Sequence, residues 1–217
     1  FGAGLDAPLS TIDFECVEAR SAALGVDATV EVTPLTHPEV RSRAVARGDV
    51  ATRSMRAMCG TLQDREPPLG AGGVAIAWSG ERVDVWQEVS AAGWGHTSTT
   101  ERLAGDAFAT ALASVPGADL LVAVDVVSRE PVGCAGLTVR DEVATLLAMA
   151  TVPGARRRGV HARLIEHRLR RARAEGCGIA TSTVEPGGRS ERNLLRSGFT
   201  PWFDITVLTR GSDARHG

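Results

Sequence analysis

Three consecutive arginines and a glycine form a segment that could hold a phosphate. The sequence VPGARRRGVHA occupies residues 152–162, between an apolar strand-like stretch and an amphipathic helix-like one. At the N-terminus of a helix, backbone N–H groups have no intrahelical partner and the helix dipole adds positive potential. Gly159 lets the backbone approach a ligand closely, and the arginines supply charge on either side. The segment therefore predicts a binding site for a pyrophosphate.

Two elements must position this loop. Residues 143–152 are apolar and are predicted to form a strand. Residues 160–175 have the spacing of an amphipathic helix, whose inner face carries Leu164 and Leu169. Gly176 follows that helix and is typical of the residue that ends one.

The rest of the downstream half alternates strands and helices. Because the turns between residues 120 and 152 are short, the strands there are predicted to form a hairpin-connected meander. The predicted strands lie at residues 74–78, 120–127, 132–139, 143–152, 179–184 and 203–209, and the predicted helices at 79–92, 100–113, 160–175 and 190–196.

The bulk composition bounds the class of protein. The chain has 217 residues, a formal net charge of −2 and 43% hydrophobic residues, values typical of a globular protein with a sizeable core. The near-zero net charge argues against a general nucleic-acid-binding protein. No apolar stretch reaches the roughly 18 residues of a membrane span, and the first residues do not resemble a signal peptide. We therefore expect a cytoplasmic protein without a membrane partner.

The cysteines do not form a metal-binding pattern. Cys16, Cys59, Cys134 and Cys177 lie far apart and include no C-x-x-C pair, so no metal is expected. We expect all of them to be small buried side chains in a reducing compartment.

The upstream half repeats the order of the last downstream elements at low identity. Aligning Gly48 with Gly198 matches a strand, a short helix, a glycine and a second strand in both halves, which predicts an internal duplication. The predicted domains are a degenerate or truncated first half at 1–66, a Pro- and Gly-rich linker at 67–73 and a second domain at 74–217. The repeated elements are a helix at 10–24, a strand at 28–33, a helix at 38–46 and a strand at 53–59.

Two motifs in the downstream half resemble those of the GNAT superfamily of acyl-CoA-dependent N-acetyltransferases. Arg156 and Gly159 occupy the first and fourth positions of the family's loop pattern Gln/Arg-x-x-Gly-x-Gly/Ala, and His161 replaces its small last residue. The second family motif is an Asn on a short helix followed by Gly-Phe, and it is matched by Asn193 and by Gly198-Phe199. Two motifs on compatible elements make this resemblance fairly specific.

The resemblance spans residues 73–210 and implies an α/β fold with a mixed, largely antiparallel sheet flanked by helices. It also implies acetyl-CoA as co-substrate and transfer of the acetyl group to a primary amine of a small molecule or a peptide. The tandem layout resembles GNAT proteins with a degenerate N-terminal half and a working C-terminal half. The identity of the acceptor and the oligomeric state stay open.

The resemblance further implies which residues bind coenzyme A. Main-chain groups at Ala150 and Val152 would bond to the pantetheine arm, and the side chain of Asn193 would point towards the same arm. Backbone groups of the loop and of the first helical turn would bind the pyrophosphate. These groups belong to Arg157, Arg158, Gly159, Val160, His161 and Ala162.

The catalytic groups are not identified by the sequence. Many family members protonate the leaving thiolate with a Tyr four residues before the Gly of Gly-Phe, but Leu194 stands there and the chain has no Tyr. A water, Ser197 or Cys177 could take its place, or proximity alone could drive the transfer. Glu185 and His96 are candidate general bases, and each could equally be an ordinary exposed or hydrogen-bonded side chain.

Two other functions stay open. A domain of this fold without a Tyr could bind acyl-CoA as a non-catalytic sensor or scaffold. An arginine-rich helix could instead contact nucleic-acid phosphates, but aromatic residues are not interleaved with its arginines, so we expect an exposed polar face and no nucleic-acid partner. The arginines concerned are Arg163, Arg168, Arg170, Arg171 and Arg173.

Overall fold

The computed structural model describes residues 4–23, 25–62, 73–78 and 82–210. The chain divides into two compact units, of which the first contains residues 1–57, 184–186 and 201–217 and the second contains residues 58–183 and 187–200. The predicted linker at 67–73 lies almost entirely outside the described residues. The internal duplication and the domain boundaries stay predictions.

The first unit combines N-terminal elements with the last strand. Strand β1 pairs antiparallel with β8, and β8 is followed in the strand order by β2. Phe14, Ala44 and Leu208 form its buried apolar cluster. Its elements are α1 (Thr11–Ala23), β1 (Thr29–Val32), α2 (Pro38–Ala46), most of β2 (Asp49–Thr61) and β8 (Thr200–Arg210).

The second unit contains the two motifs. Its strands follow the order β7-β6-β5-β4-β3, antiparallel from β3 to β6 and parallel between β6 and β7. This arrangement confirms the predicted mixed, largely antiparallel sheet flanked by helices. Its elements are β3 (Val74–Trp78), α3 (Val83–Trp94), α4 (Thr99–Ala113), β4 (Ala118–Asp125), β5 (Pro131–Arg140), β6 (Val143–Thr151), α5 (Val160–Ala174), β7 (Ile179–Val184) and α6 (Arg189–Arg196).

Alternating side chains of β4 build the core on both faces of the sheet. Leu121 and Ala123 belong to the apolar cluster that contains Val160 and Leu164 of α5. Leu120 and Val122 belong to the cluster that contains Trp86 of α3 and Leu112 of α4. Since successive strand residues point to opposite faces, α5 covers one face and α3 with α4 covers the other.

Strand β6 contains a bulge and is paired with β7 along only part of its length. Gly136 of β5 pairs with Leu147 and Cys134 pairs with Ala150, so two residues of β6 stand opposite one residue of β5. Ala148, within the bulge, has φ +49°. The parallel pairing with β7 runs from Val143 to Leu146. Beyond Leu146, the described strands leave one edge of β6 open.

Helix α3 differs from its predicted bounds. It begins at Val83 instead of residue 79 and extends beyond residue 92 to include Gly93 and Trp94. Gly95 ends it in the left-handed conformation, with φ +77°. Position 93 requires a glycine because β6 packs against it: a Cβ there would lie 2.7 Å from the Cβ of Ala150. Residue 79, the predicted start, lies outside the described residues.

The burial of the cysteines agrees with the expectation only in part. Cys134 and Cys177 are buried as predicted, but Cys16 is exposed and Cys59 is half-buried, so the prediction is wrong for these two. Cys16 lies on the outer surface of α1, where only Phe14 is buried. Within the described residues, no helix has the length and the apolar character that crossing a membrane requires.

Candidate functional site

A cleft of about 760 Å³ lies beside the open edge of β6. The end of α3, residues 149–151 of β6, the loop after β6, the first turn of α5 and helix α6 line it. The predicted binding residues Val152 and Arg158 do not line the cleft. Those that do are Ala150, Arg157, Gly159, Val160, His161, Ala162 and Asn193.

The pleat of β6 decides which main-chain groups face the open edge. The N–H of Val152 donates to the carbonyl oxygen of Val132 at 3.1 Å, so it is already used within the sheet. Hydrogen-bonded and non-bonded pairs alternate along an antiparallel ladder. Thr151, opposite Gly133, therefore turns its N–H and C=O away from β5 and towards the cleft. The same alternation turns the main-chain groups of Ala150 towards β5. The expected contacts at Ala150 and Val152 stay predictions, and Thr151 is the residue of this segment whose main-chain groups face the open edge.

The loop after β6 delivers the start of α5 to the cleft. Gly159 is the N-cap residue of α5 with φ +77°, and no side chain caps the helix. The first intrahelical bond runs from the N–H of Arg163 to the carbonyl of Gly159 at 3.0 Å. The N–H groups of Val160, His161 and Ala162 precede that bond and suit an anion. The pyrophosphate site at these groups stays a prediction.

Arginine side chains dominate the charge of the cleft. No Asp or Glu occurs among its described lining residues. Nη2 of Arg156 donates to the carbonyl of Gly93 at 3.1 Å, and Nη1 of Arg192 donates to the carbonyl of Gly187 at 2.6 Å. The positive potential suits a ligand that carries several phosphate charges. The arginines are Arg156, Arg157, Arg189, Arg192 and Arg196.

Arg158 anchors the loop instead of lining the cleft. Its guanidinium forms an ion pair with Asp125, a buried residue at the end of β4. Asp125 also accepts hydrogen bonds from the N–H groups of Val127 at 2.9 Å and Ser128 at 3.1 Å. These backbone bonds, and then Arg158, hold the pKa of Asp125 below its usual range. The ion pair therefore persists at neutral pH.

His161 connects the loop helix to α6. Nδ2 of Asn193 donates to Nδ1 of His161 at 3.0 Å, and Nε2 of His161 lies 3.5 Å from Oγ of Ser190. Burial, assisted by Arg168 and Arg189, lowers the pKa of His161 to about 4. A neutral ring that accepts at Nδ1 carries its proton at Nε2, where it can donate to Ser190. The sequence did not predict this bond between the two motifs.

Arg168 is buried, which contradicts the expected exposed face of α5. It is 1% exposed and donates to the carbonyl oxygens of Leu164 and Gly136, both at 3.1 Å. It also donates to the carbonyl of Leu147 at 3.4 Å and to Sδ of Met149 at 2.9 Å. Burial lowers its pKa to about 9, so it stays charged at neutral pH. Arg168 therefore supports the bulge of β6 through hydrogen bonds to both strands.

Other arginines of α5 are engaged within the protein. Buried Glu166 pairs with Arg163 at 2.8 Å and with Arg170 at 2.6 Å. Arg171 pairs with Asp119 at 3.3 Å and with Glu175 at 2.7 Å. These carboxylates neutralise much of the charge that the sequence places on the helix.

The candidate acids do not line the cleft. Leu194, at the position where family members often carry Tyr, is buried. Oγ of Ser197 donates to the carbonyl of Asn193 at 3.0 Å. Cys177 is also buried, and this burial raises the pKa of its thiol.

The candidate bases lie outside the cleft lining as well. Glu185 is an exposed residue directly after β7. His96 lines a second, smaller pocket. Within the described chain, no group of three or more His, Cys, Asp or Glu side chains could hold a metal ion.

Comparisons with known proteins agree with this geometry. The model of the acetyltransferase (GNAT) family matches residues 84–199. A comparison with curated proteins gives no significant match.

Among solved structures, a GCN5-related N-acetyltransferase from Kribbella flavida aligns with a TM-score of 0.68 at 17% identity, covering 97% of this chain and 80% of that one. A GCN5-related N-acetyltransferase from Sphaerobacter thermophilus aligns with a TM-score of 0.63 at 18% identity, covering 85% of this chain and 60% of that one. A tandem GNAT protein from the clavulanic acid biosynthesis pathway aligns with a TM-score of 0.62 at 15% identity, covering 90% of this chain and 68% of that one. At these identities the structural likeness concerns the fold alone. The family model covers more than half of the chain, and the chain therefore belongs to the GNAT acetyltransferase family.

Proposed function

We propose that this chain transfers the acetyl group of acetyl-CoA to a primary amine at the bulge of β6. The proposal rests first on the open edge of β6, which ends beside an anion site at the start of α5. An extended, amide-containing arm can bind to such an edge as an added strand does. Thr151 offers the main-chain donor and acceptor for that arm. The pyrophosphate would then reach the N–H groups of residues 157–162.

The charges of the cleft favour the same ligand. Coenzyme A carries a pyrophosphate and a further phosphate, and the cleft is lined by arginines without a carboxylate among its described residues. Arg158 fixes the loop to Asp125, so the N–H groups face the cleft before the ligand arrives. A site that is formed in advance loses less conformational entropy on binding.

The reaction itself can proceed with little help from protein side chains. The neutral amine attacks the thioester carbonyl, the C–N bond forms, the C–S bond breaks, and the amine proton is released to water as the thiolate leaves. Proximity and orientation can supply much of the rate for a reactive thioester. Holding the thioester at the bulge, beside the acceptor, is the contribution that we assign to β6.

The pairing of the arginines on α5 supports a small ligand over a nucleic acid. Glu166, Asp119 and Glu175 hold Arg163, Arg170 and Arg171, and Arg168 is buried. We therefore propose an amine acceptor and no nucleic-acid partner.

Calorimetric titration of acetyl-CoA into the chain tests the proposal. We expect micromolar binding that Gly159→Ala weakens at least tenfold, because the φ of +77° at this position disfavours a side chain. Gly154→Ala is the matched control in the same loop, since a Cβ there would meet nothing within 4 Å. An amine panel read by release of free thiol follows. Binding without turnover of any amine would favour the sensor, and absence of binding would overturn the proposal.

A further inference from the structure

A second pocket adjoins the cleft at the bulge of β6. It has a volume of about 260 Å³ and lies between α3, α4 and the bulge residue Ala148. Trp94 lines both the pocket and the cleft, and Ala148 directly precedes Met149, which lines the cleft. A group in this pocket would therefore approach the bulge from the face of the sheet that α3 and α4 cover.

The walls of the pocket are aromatic. Trp86 is fully buried and its Nε1 donates to the carbonyl of Ala135 at 3.1 Å, so its ring is fixed in place. Trp94 and Phe108 complete the walls and are 60% and 51% exposed. Large aromatic side chains that stay exposed beside a cavity mark a surface that binds an apolar group.

The pocket has few polar groups, and none of those in its described lining is a carboxylate. Ser90 and His96 line it, and no Asp, Glu or Arg occurs among its described lining residues. Glu101, the first-turn acid of α4, is occupied by Ser98 in a capping box. The described lining of the pocket therefore offers a polycationic acceptor no carboxylate to compensate for the hydration that its charges would lose.

The size of the pocket limits the apolar group. Its volume of about 260 Å³ is roughly a third of the 760 Å³ of the cleft. A pocket of this size suits a group about as large as one aromatic ring.

We propose that this pocket binds the aromatic part of a small primary amine and presents its amino group to the bulge. The inference rests on the proposed acetyl transfer and adds the class of acceptor. Trp94 and Phe108 determine specificity by enclosing the ring, and the amine has no ion pair within the pocket.

Acetylation kinetics with three amines test the inference. We expect kcat/KM for 2-phenylethylamine to exceed that for ethanolamine and for spermidine at least tenfold. Phe108→Ala should raise the KM for 2-phenylethylamine about tenfold, because the ring loses one wall, and should leave the KM for acetyl-CoA unchanged. Leu103→Ala is the matched control on α4, since Leu103 is 63% exposed and does not line the pocket.

A second variant keeps the test independent of packing. Phe108→Asp should lose the preference for 2-phenylethylamine and gain activity with spermidine, because it adds a carboxylate to the wall. Preference of the unaltered chain for spermidine or ethanolamine would overturn the inference while leaving acetyl transfer intact. Failure to release thiol with any amine would overturn the proposed function and this inference with it.

Discussion

Nδ2 of Asn193 and Nδ1 of His161 lie 3.0 Å apart and join the helix after the phosphate loop to α6. Asn193 is also held at its oxygen, which accepts from Nη1 of Arg196 at 3.3 Å. The amide is thus oriented from both sides before any ligand binds. The His161 that departs from the family's loop pattern is the residue that orients the Asn of the second motif.

His161 should make the stability of the chain depend on pH. Its pKa is about 4 in the folded chain and about 6.5 in an unfolded one. Between these values the unfolded chain binds the proton and the folded chain does not, so the free energy of unfolding falls as the pH drops. The expected loss from about pH 6.5 to 4 is up to about 3 kcal/mol. Urea unfolding at several pH values, for the unaltered chain and for His161→Gln, which lacks the titrating ring, measures this loss. Parallel plots of the free energy of unfolding against pH for the two chains would contradict the prediction.

Arg168 should be required for the stability of the bulge. Arg168→Met leaves the carbonyls of Gly136 and Leu147 without this donor, and we expect it to lower the free energy of unfolding by about 1–3 kcal/mol. Arg168→Lys retains the charge but not the planar guanidinium with its several donors. We therefore expect an intermediate loss in the free energy of unfolding. Hydrogen exchange at residues 148–151 should accelerate in Arg168→Met. Unchanged exchange there would show that the bulge does not depend on this side chain.

The ion pair between Arg158 and Asp125 should contribute to acetyl-CoA affinity. Asp125→Asn keeps an oxygen for the N–H groups of Val127 and Ser128 but removes the charge that anchors Arg158. We expect the Kd for acetyl-CoA to rise about three- to tenfold, since charge-assisted bonds hold the loop. Asp141→Asn, at a fully exposed turn, is the control and should not change the Kd. Equal Kd values for both variants would refute the anchoring role.

Close packing at Gly93 should not tolerate a side chain. A Cβ there would lie 2.7 Å from the Cβ of Ala150 and 3.1 Å from the main-chain nitrogen of Thr151. Gly93→Ala should therefore displace α3 from β6 and lower the free energy of unfolding by about 1–3 kcal/mol. Gly154→Ala should stay within about 0.5 kcal/mol of the unaltered chain. Thermal or urea unfolding of both variants decides it, and equal stability would contradict the expected clash.

The elements around the loop could be predicted because their boundaries have local causes. Pro153 follows the last strand residue by two positions, and Gly159 takes the positive φ that begins α5. The predicted strand at 179–184 matches β7, whose β-branched residues favour a strand. These signals act within a few residues, so one sequence is enough to locate them.

The details of the site depend on contacts that local patterns do not carry. Ala148 adopts a positive φ although Ala gives no sign of it, since the bulge is set by pairing with β5. The burial of Arg168 could have been suspected, because it follows Leu164 by four residues on the apolar face of α5. The charge of Arg168 nevertheless led to the expectation of an exposed side chain. The carbonyl oxygens that accept its hydrogen bonds belong to strands distant in sequence.

The early end of the pairing between β6 and β7 also bears on self-association. An unpaired strand edge can recruit the edge of another molecule, and proteins usually protect such edges. Here the unpaired segment of β6 covers only a few residues and lines the cleft together with Trp94 and Asn193. Because so few main-chain groups are open, this edge offers little to a second sheet, and its shortness acts as the protection.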